Sequence, residues 1–149
     1  MSKCPADLWR AVHSDDFPKG PIVNDEPVKG ILYPAFMPKQ IGFQADGTPK
    51  YRDPDVAFDE KGLVKPGGGT SLFDKENVFR GKNWQYFYIP KDTVIDPNLV
   101  ITGPEYRKAF SANHYQVEPA TPMFPEVLKG ALDNFARAAV AKAYEDAHG

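Results

Sequence analysis

The chain has 149 residues, 42% hydrophobic and 26% charged, and its 18 basic and 20 acidic residues give a net charge of −2. This size and composition predict one folded domain over residues 1–149 and exclude a fibre or a mainly disordered chain. The small acidic excess disfavours a nucleic-acid partner. A single cysteine, Cys4, excludes an internal disulfide and argues against a metal site built from Cys and His.

The sequence also carries no membrane or export signal. No apolar run reaches the roughly 18 residues of a membrane span. The first residues lack the apolar stretch of a signal peptide. We therefore expect a cytoplasmic protein without a membrane partner.

The first predicted element is a short strand over Leu8–His13, because this segment is rich in residues that favour β-structure. The strand period of two places Arg10 on the same face as Leu8 and Val12. A guanidinium among apolar side chains is costly unless an anion or several acceptors surround it. Arg10 is therefore either a clamp for a phosphate or carboxylate, or an ordinary surface arginine at a strand edge.

Residues 14–65 form a proline-rich segment. Nine of the fifteen prolines fall at or before Pro66, and no helical period survives more than one turn. We predict irregular cover with one or two short strands, one of them around residues 30–33. A loop-rich stretch of this length is unusual in a compact domain, which favours a functional flap or a partly mobile segment.

A run of three glycines, residues 67–69, precedes Thr70 and Ser71. Glycine has no Cβ, so a ligand or another chain segment can approach the backbone closely. The run matches neither a P-loop nor a dinucleotide-binding fingerprint. From the residues alone it is either a flexible turn or a binding loop followed by two hydroxyl groups.

The second half of the chain contains the clearest periodic patterns. Aromatic and β-branched residues predict strands over residues 84–89, 99–102 and 114–118, with a short helix from Gly103 to about Ala112. From Pro125 to Ala147 apolar residues recur at helical spacing, which predicts a long amphipathic helix with Thr121 as its N-cap. The pattern predicts an α+β fold, with short, mostly antiparallel strands in two small sheets and a long C-terminal helix.

The predicted strand 114–118 carries three polar side chains on one face. His114, Gln116 and Glu118 alternate with Tyr115 and Val117. This pattern suits a half-buried strand that lines a cleft, and it suits a solvated edge strand equally well.

The order of these signals resembles that of the arginine-type, cholera-toxin-like ADP-ribosyltransferases. In that family an arginine holds a phosphate of NAD, a Ser/Thr strand shapes the nicotinamide pocket, and a glutamate stabilises the oxocarbenium-like transition state. The resemblance assigns contact with NAD to Arg10, Gly69, Thr70 and Ser71. It assigns transition-state stabilisation to Glu118, with Gln116 orienting the acceptor.

A closer similarity lies in Gly68–Asp74, Pro119–Met123 and Glu126–Phe135. These segments resemble the growth-arresting type VI secretion effector toxins of pseudomonads and their fungal homologues, over residues 7–13 and 67–148. The resemblance implies an ADP-ribosyltransferase-like fold, action in the cytoplasm and neutralisation by a dedicated immunity protein. Because the glutamate is not uniform among these effectors, His114 is an alternative to Glu118 as the catalytic residue.

The sequence thus predicts an NAD-binding cytotoxin that transfers ADP-ribose to a cytoplasmic target, with no metal. Two other functions stay open. The same scaffold can cleave RNA with His114 as general base, or it can act as a non-catalytic interaction module. An assay of nicotinamide release and RNA degradation distinguishes the ADP-ribosyltransferase from the ribonuclease.

Overall fold

The computed structural model describes residues 2–149, which form an α+β fold. Within these residues one five-stranded antiparallel sheet has the order β7-β1-β6-β9-β8, and two separate two-stranded ribbons are β2–β3 and β4–β5. The strands are β1 Leu8–His13, β2 Ile22–Val23, β3 Glu26–Pro27, β4 Lys39–Phe43, β5 Pro49–Arg52, β6 Thr70–Phe73, β7 Trp84–Ile89, β8 Leu99–Arg107 and β9 Ala112–Pro119. The helix α1 spans Pro125–His148. The predicted fold class is confirmed.

Helix α1 covers one face of the sheet. Its buried residues include Leu128, Leu132 and Phe135, which pack into one core with Leu8 and Leu72 of the sheet. The 3.6-residue period predicts this stripe, because residues three and four apart fall on the same side of a helix. Among residues 2–149 no helix combines the length and the apolarity needed to cross a bilayer.

The start of α1 differs from the prediction. Phe124, with no side-chain cap, precedes the helix, and Pro125 opens it. Thr121 is not the N-cap, because the chain just after it is still extended and Met123 bridges to Val64. Proline suits the first helical position, where its missing N–H would have no intrahelical partner.

The predicted short helix after Gly103 is wrong: strand β8 continues through Arg107, and only a short 3-10 turn, Lys108–Phe110, follows. Pairing with β9 along its length holds β8 extended, and a register shift between Thr102 and Glu105 accommodates Gly103 and Pro104. Long-range strand pairing therefore determines the structure of this segment in spite of its local helix signals, as is common in sheets. Residues 30–33, predicted as a strand, form turns instead.

The proline-rich segment is anchored to the core at its centre. Ile31 and Leu32 are fully buried. The Tyr33 hydroxyl donates to Asp133 of α1 at 2.7 Å, and the Gly30 N–H donates to the other oxygen of the same carboxylate at 3.1 Å. Residues 30–33 therefore form a fixed cover over the sheet and the helix.

The second face of the sheet is not covered by α1, and we call it the open face. The pairs Trp9–Phe73 and Phe73–His114 lie directly opposite across neighbouring strands, so these side chains share a face. By the same alternation Ser71 and Gln116 point to the open face, whereas Leu72 points to α1.

Candidate functional site

Ser71 and His114 are hydrogen-bonded on the open face. Ser71 of β6 lies opposite Gln116 of β9, and His114 lies two pairs further along, opposite Phe73. The Ser71 Oγ and the His114 Nε2 are 2.9 Å apart. The ring of Phe73 packs edge-on against the imidazole, with 5.3 Å between ring centres. The imidazole is therefore held by a hydrogen bond on one side and by an aromatic ring on the other.

The surroundings of His114 favour its neutral form. Its burial lowers the pKa of the imidazole below the usual 6.5, the charge of Arg107 lowers it further, and Glu105 opposes the shift. With its proton on Nδ1, a neutral imidazole presents the Nε2 lone pair to the Ser71 hydroxyl. This is the arrangement of a hydroxyl beside a general base.

Glu118 lies at the other end of the same strand and is almost fully buried. Its Oε1 accepts a hydrogen bond from the Gly67 N–H at 2.8 Å. Its Oε2 accepts from the Thr102 hydroxyl at 2.7 Å and from the Gln116 side-chain amide at 3.1 Å. The carboxylate therefore joins the glycine loop to strands β8 and β9.

A small cavity of about 150 Å³ adjoins this cluster. Its lining residues are Thr102, Gly103, Glu105, Arg107, His114 and Gln116. This volume fits a small group rather than a whole dinucleotide, since ligand pockets for larger molecules start at about 300 Å³. A larger cavity of about 470 Å³ lies between residues 94–99 and α1, but it is lined by none of the predicted site residues. We therefore place the candidate site at the smaller cavity.

The structure gives Gly69 and Thr70 contacts inside the protein. A Cβ on Gly69 would lie 1.8 Å from the carbonyl oxygen of Val117, so the neighbouring strand already occupies the space that glycine leaves. The Thr70 hydroxyl is fully buried and donates to the Leu32 carbonyl at 2.5 Å. Both residues fix strand β6 in place. The glycine run lets the backbone at Gly69 lie close to the backbone of β9 at Val117.

Arg10 lies on the helix side of the sheet, with Leu8 and Val12, as the strand period predicts. In the described strands β1 and β6 share a single registered pair, Trp9–Phe73, so they separate towards Ser71. The Arg10 guanidinium lies in this gap, where Nη2 donates to the Tyr33 carbonyl at 3.2 Å and Nη1 to the Ser71 carbonyl at 3.5 Å. We call this opening the Arg10 gap.

The Arg10 cation has unused hydrogen-bonding capacity. Within residues 2–149 its Nε is buried and has no hydrogen-bond partner. Burial lowers the pKa of the guanidinium, Asp55 opposes that shift and Arg52 adds to it. Arginine stays protonated in proteins, so the gap holds a half-buried positive charge with at least one free donor.

The structure therefore brings together Ser71, His114, Gln116 and Glu118 on the open face, and it places Arg10 behind them. Among residues 2–149, the one hydrogen bond from Arg10 to this cluster goes to the Ser71 carbonyl. Sequence reasoning missed Thr102, which faces Gln116 across β8 and β9. Its position within a predicted strand was a usable signal, but the neighbour of that strand was unknown.

An aromatic wall beside His114 was also missed. Phe73 contacts the rings of Phe79 and Phe110, and Phe79 stacks on Trp84 with 4.7 Å between ring centres. These residues come from three separate segments, so no local pattern reveals their meeting. In the part of the chain that the structure describes, no group of three or more Cys, His, Asp or Glu side chains is placed to hold a metal ion.

Comparison with known proteins agrees with the resemblance drawn from the sequence. A family model described as "Tse2 ADP-ribosyltransferase toxin" matches residues 5–144. The curated protein "Toxin Tse2" of Pseudomonas aeruginosa strain PAO1 is 37% identical over 145 residues, covering 96% of this chain and 85% of that protein. The predicted relationship to this toxin family is confirmed.

Proposed function

Because the chain belongs to the family of Tse2 ADP-ribosyltransferase toxins, we propose that it binds NAD and transfers ADP-ribose to a macromolecular target. The family match over residues 5–144 carries this proposal. The hydrogen-bonded Ser71–His114 pair on the open face supports it, because the reaction needs a group that accepts a proton.

The proposed reaction breaks one glycosidic bond and forms another. Nicotinamide leaves with the electron pair of the bond between its ring nitrogen and the ribose C1′. The acceptor then bonds to C1′, and its proton passes to the His114 Nε2, directly or through the Ser71 hydroxyl. A neutral imidazole can take that proton, and the lowered pKa of His114 keeps it neutral at physiological pH.

Glu118 supports the reaction mainly by position. Its carboxylate places a negative charge near the ribose, where positive charge develops in the transition state. Its two oxygens are already bonded to Gly67, Thr102 and Gln116. We therefore assign the proton transfer to His114. Glu118 holds the side-chain amide of Gln116, which in turn orients the acceptor.

Arg10 is the proposed contact for the pyrophosphate of NAD. Its half-buried cation and its buried, free Nε suit a doubly charged anion, which forms short, charge-assisted hydrogen bonds with a guanidinium. Gly69 and Thr70 contribute indirectly, because they hold the strand that carries Ser71. The aromatic wall beside His114 shields the reacting centre from water.

The test is nicotinamide release from NAD by the purified protein, run in parallel with an RNA substrate. We expect nicotinamide release and intact RNA, with a loss of about 10²–10³ in rate for Ser71→Ala. The control Ser14→Ala should behave as wild type. Cleaved RNA with intact NAD would replace this proposal with a ribonuclease, and growth arrest without either reaction would indicate an interaction module.

We further infer delivery and neutralisation from the same resemblance. The chain acts in the cytoplasm of a target cell after type VI secretion, and a cognate immunity protein silences it. Expression of the chain alone should arrest growth, and co-expression of a neighbouring open reading frame should restore it. Growth arrest that no neighbouring protein relieves contradicts the immunity inference and leaves the chemistry unaffected.

A further inference from the structure

The ribbon β4–β5 stands away from the rest of the fold. All residues of its two strands are exposed except Gly42. An isolated two-stranded ribbon is marginally stable in water, because it has no core of its own. A ribbon of this kind gains stability when a partner covers its faces.

The two faces of the ribbon differ in chemistry. Lys39 lies opposite Arg52, and by alternation Lys50 shares their face. On the other face Tyr51 is 57% exposed and Phe43 is 70% exposed. One face is therefore basic and the opposite face is aromatic, a separation that the sequence pattern alone hides because a bulge near Ile41 shifts the register.

The ribbon is locally basic, although the chain as a whole is slightly acidic. Residues 37–52 contain three basic residues and one acidic residue, in a chain whose net charge is −2. The acidic residue, Asp46, is used in the turn, where it accepts hydrogen bonds from the N–H and the hydroxyl of Thr48. The cations of the ribbon are exposed to solvent, and the contact between Arg52 and Asp55 is long, at 3.8 Å.

The root of the ribbon is fixed beside the Arg10 gap. The Asp55 N–H donates to the Ala35 carbonyl at 2.8 Å, and the Ala35 N–H donates to the Asp55 carboxylate at 2.7 Å. This double contact closes the loop that carries the ribbon. The charges of Asp55 and Arg52 also act on the Arg10 guanidinium. The root of the ribbon therefore lies near this gap.

We propose that the ribbon is the docking surface for an acidic protein whose groove has one acidic wall and one apolar wall. The basic face matches the acidic wall and the aromatic face matches the apolar wall, as at interfaces with exposed aromatic anchors and complementary charge. RNA fits less well. Cations and stacking rings must contact the same strand of nucleotides, whereas here they lie on opposite faces of the ribbon. That the docked protein is the acceptor of ADP-ribose rests on the proposed function.

Binding to a defined probe tests the surface without any NAD chemistry. The probe is a fluorescent amphipathic peptide of Glu and Leu, compared with its Gln-for-Glu counterpart, an oligouridine and phosphatidylserine vesicles. We expect the Glu peptide to bind at least about tenfold more tightly than the Gln peptide, with weakening at higher salt. Equal binding of both peptides, or preference for oligouridine or vesicles, would overturn the proposal.

Variants of the ribbon supply the matched controls. The triple variant K39E/K50E/R52E and the double variant F43S/Y51S should each lose at least about tenfold in peptide affinity. The triple variant K19E/K75E/K91E changes the net charge equally at exposed sites elsewhere and should stay within about twofold of wild type. An equal loss in that control, or no loss in the ribbon variants, contradicts a specific surface, as does self-association through the ribbon.

A second arm links the ribbon to the reaction. Extract proteins labelled with biotinylated NAD should lose at least about tenfold of their label with K39E/K50E, which leaves Arg52 beside Arg10 unchanged, while nicotinamide release without acceptor protein stays within about twofold. Unchanged labelling would refute the acceptor role of the docked protein. Absence of nicotinamide release by wild type would refute the proposed function, and the peptide arm would still decide whether the ribbon binds.

Discussion

The two ends of strand β9 carry similar polar side chains and are built in opposite ways. At the Glu118 end, three donors satisfy a buried carboxylate, and the strand packs against a glycine too close for any Cβ. At the His114 end, a half-buried imidazole contacts one hydroxyl and an aromatic ring beside an open cavity. The first end holds the sheet together, and the second end leaves a reactive group accessible.

The largest effect is expected for Gly69→Ala at the Glu118 end. The added Cβ would lie 1.8 Å from the Val117 carbonyl oxygen, and because both atoms belong to backbone-fixed positions, β6 and β9 cannot stay paired. We expect loss of about 4 kcal/mol or more of unfolding free energy, or insoluble protein, measured by chemical denaturation.

The control for this change is Gly130→Ala in α1, where a Cβ meets no atom within 4 Å. It should stabilise the protein by about 0.5–1 kcal/mol, because alanine favours the helix. A stable, soluble Gly69→Ala protein would show that the two strands can move apart, and the comparison between the two ends would fail.

The next effect concerns activity at the His114 end. His114→Ala removes the proposed proton acceptor, so nicotinamide release coupled to acceptor labelling should fall by about 10²–10⁴-fold. Its stability should change by less than about 1 kcal/mol, because the side chain is only half-buried. His13→Ala is the matched control on the open face, where His13 packs edge-on against Trp84. Full activity of His114→Ala would remove this residue from the reaction.

Glu118→Ala should lower the free energy of unfolding more than His114→Ala does. It leaves the Gly67 N–H, the Thr102 hydroxyl and the Gln116 amide without their shared acceptor, which should cost about 2–3 kcal/mol of unfolding free energy. Thr102→Val removes only one of these donors and should cost about 1 kcal/mol. The measurement is denaturation of each variant at pH 7, and an unchanged stability of Glu118→Ala would contradict the structural role.

The smallest effect is a shift in pH dependence. Because the pKa of His114 is lowered in the folded protein, the unfolded chain binds more protons once the pH falls below about 6.5. Stability therefore declines from there downward, until the lower folded pKa is passed. Base-dependent activity instead falls as the pH approaches and passes the folded pKa of His114. Both should be nearly constant between pH 7 and 8 as far as His114 is concerned.

Arg107→Gln removes one cause of that lowered pKa. The acidic limb of the activity profile should move up by a few tenths of a pH unit, because Arg107 is partly solvent-exposed and its charge is screened. Lys108→Gln, a neighbouring exposed cation, is the control. A downward shift in Arg107→Gln would contradict the electrostatic cause.

The sequence predicts those parts of the fold in which local pattern and final environment agree. Strands Leu8–His13 and Trp84–Ile89 have the predicted bounds, and α1 covers the predicted periodic segment, although Phe124 and not Thr121 precedes it. The extension of β8 through Arg107 was not predictable, since pairing with β9 rather than local preference fixes it. The ribbon β4–β5 was hidden by prolines at its borders and a bulge in its middle.

The site was predictable in composition and less so in arrangement. Alternation along β9 places His114, Gln116 and Glu118 on one face, and this holds in the structure. The contact between Ser71 and His114 depends on the order of strands, which one sequence does not contain. The separation of Arg10 from that pair has the same origin, because it follows from the short pairing of β1 with β6.

The bond between Tyr33 and Asp133 links positions 100 residues apart, and ribosomes make proteins from the N terminus. Until α1 has been synthesised, the cover at residues 30–33 has no helix to hold it, and Leu8 and Leu72 face water. The chain therefore completes its core only with its last element. A nascent or truncated chain lacking α1 should be incompletely folded and prone to aggregation, because the apolar face of its sheet is exposed to water.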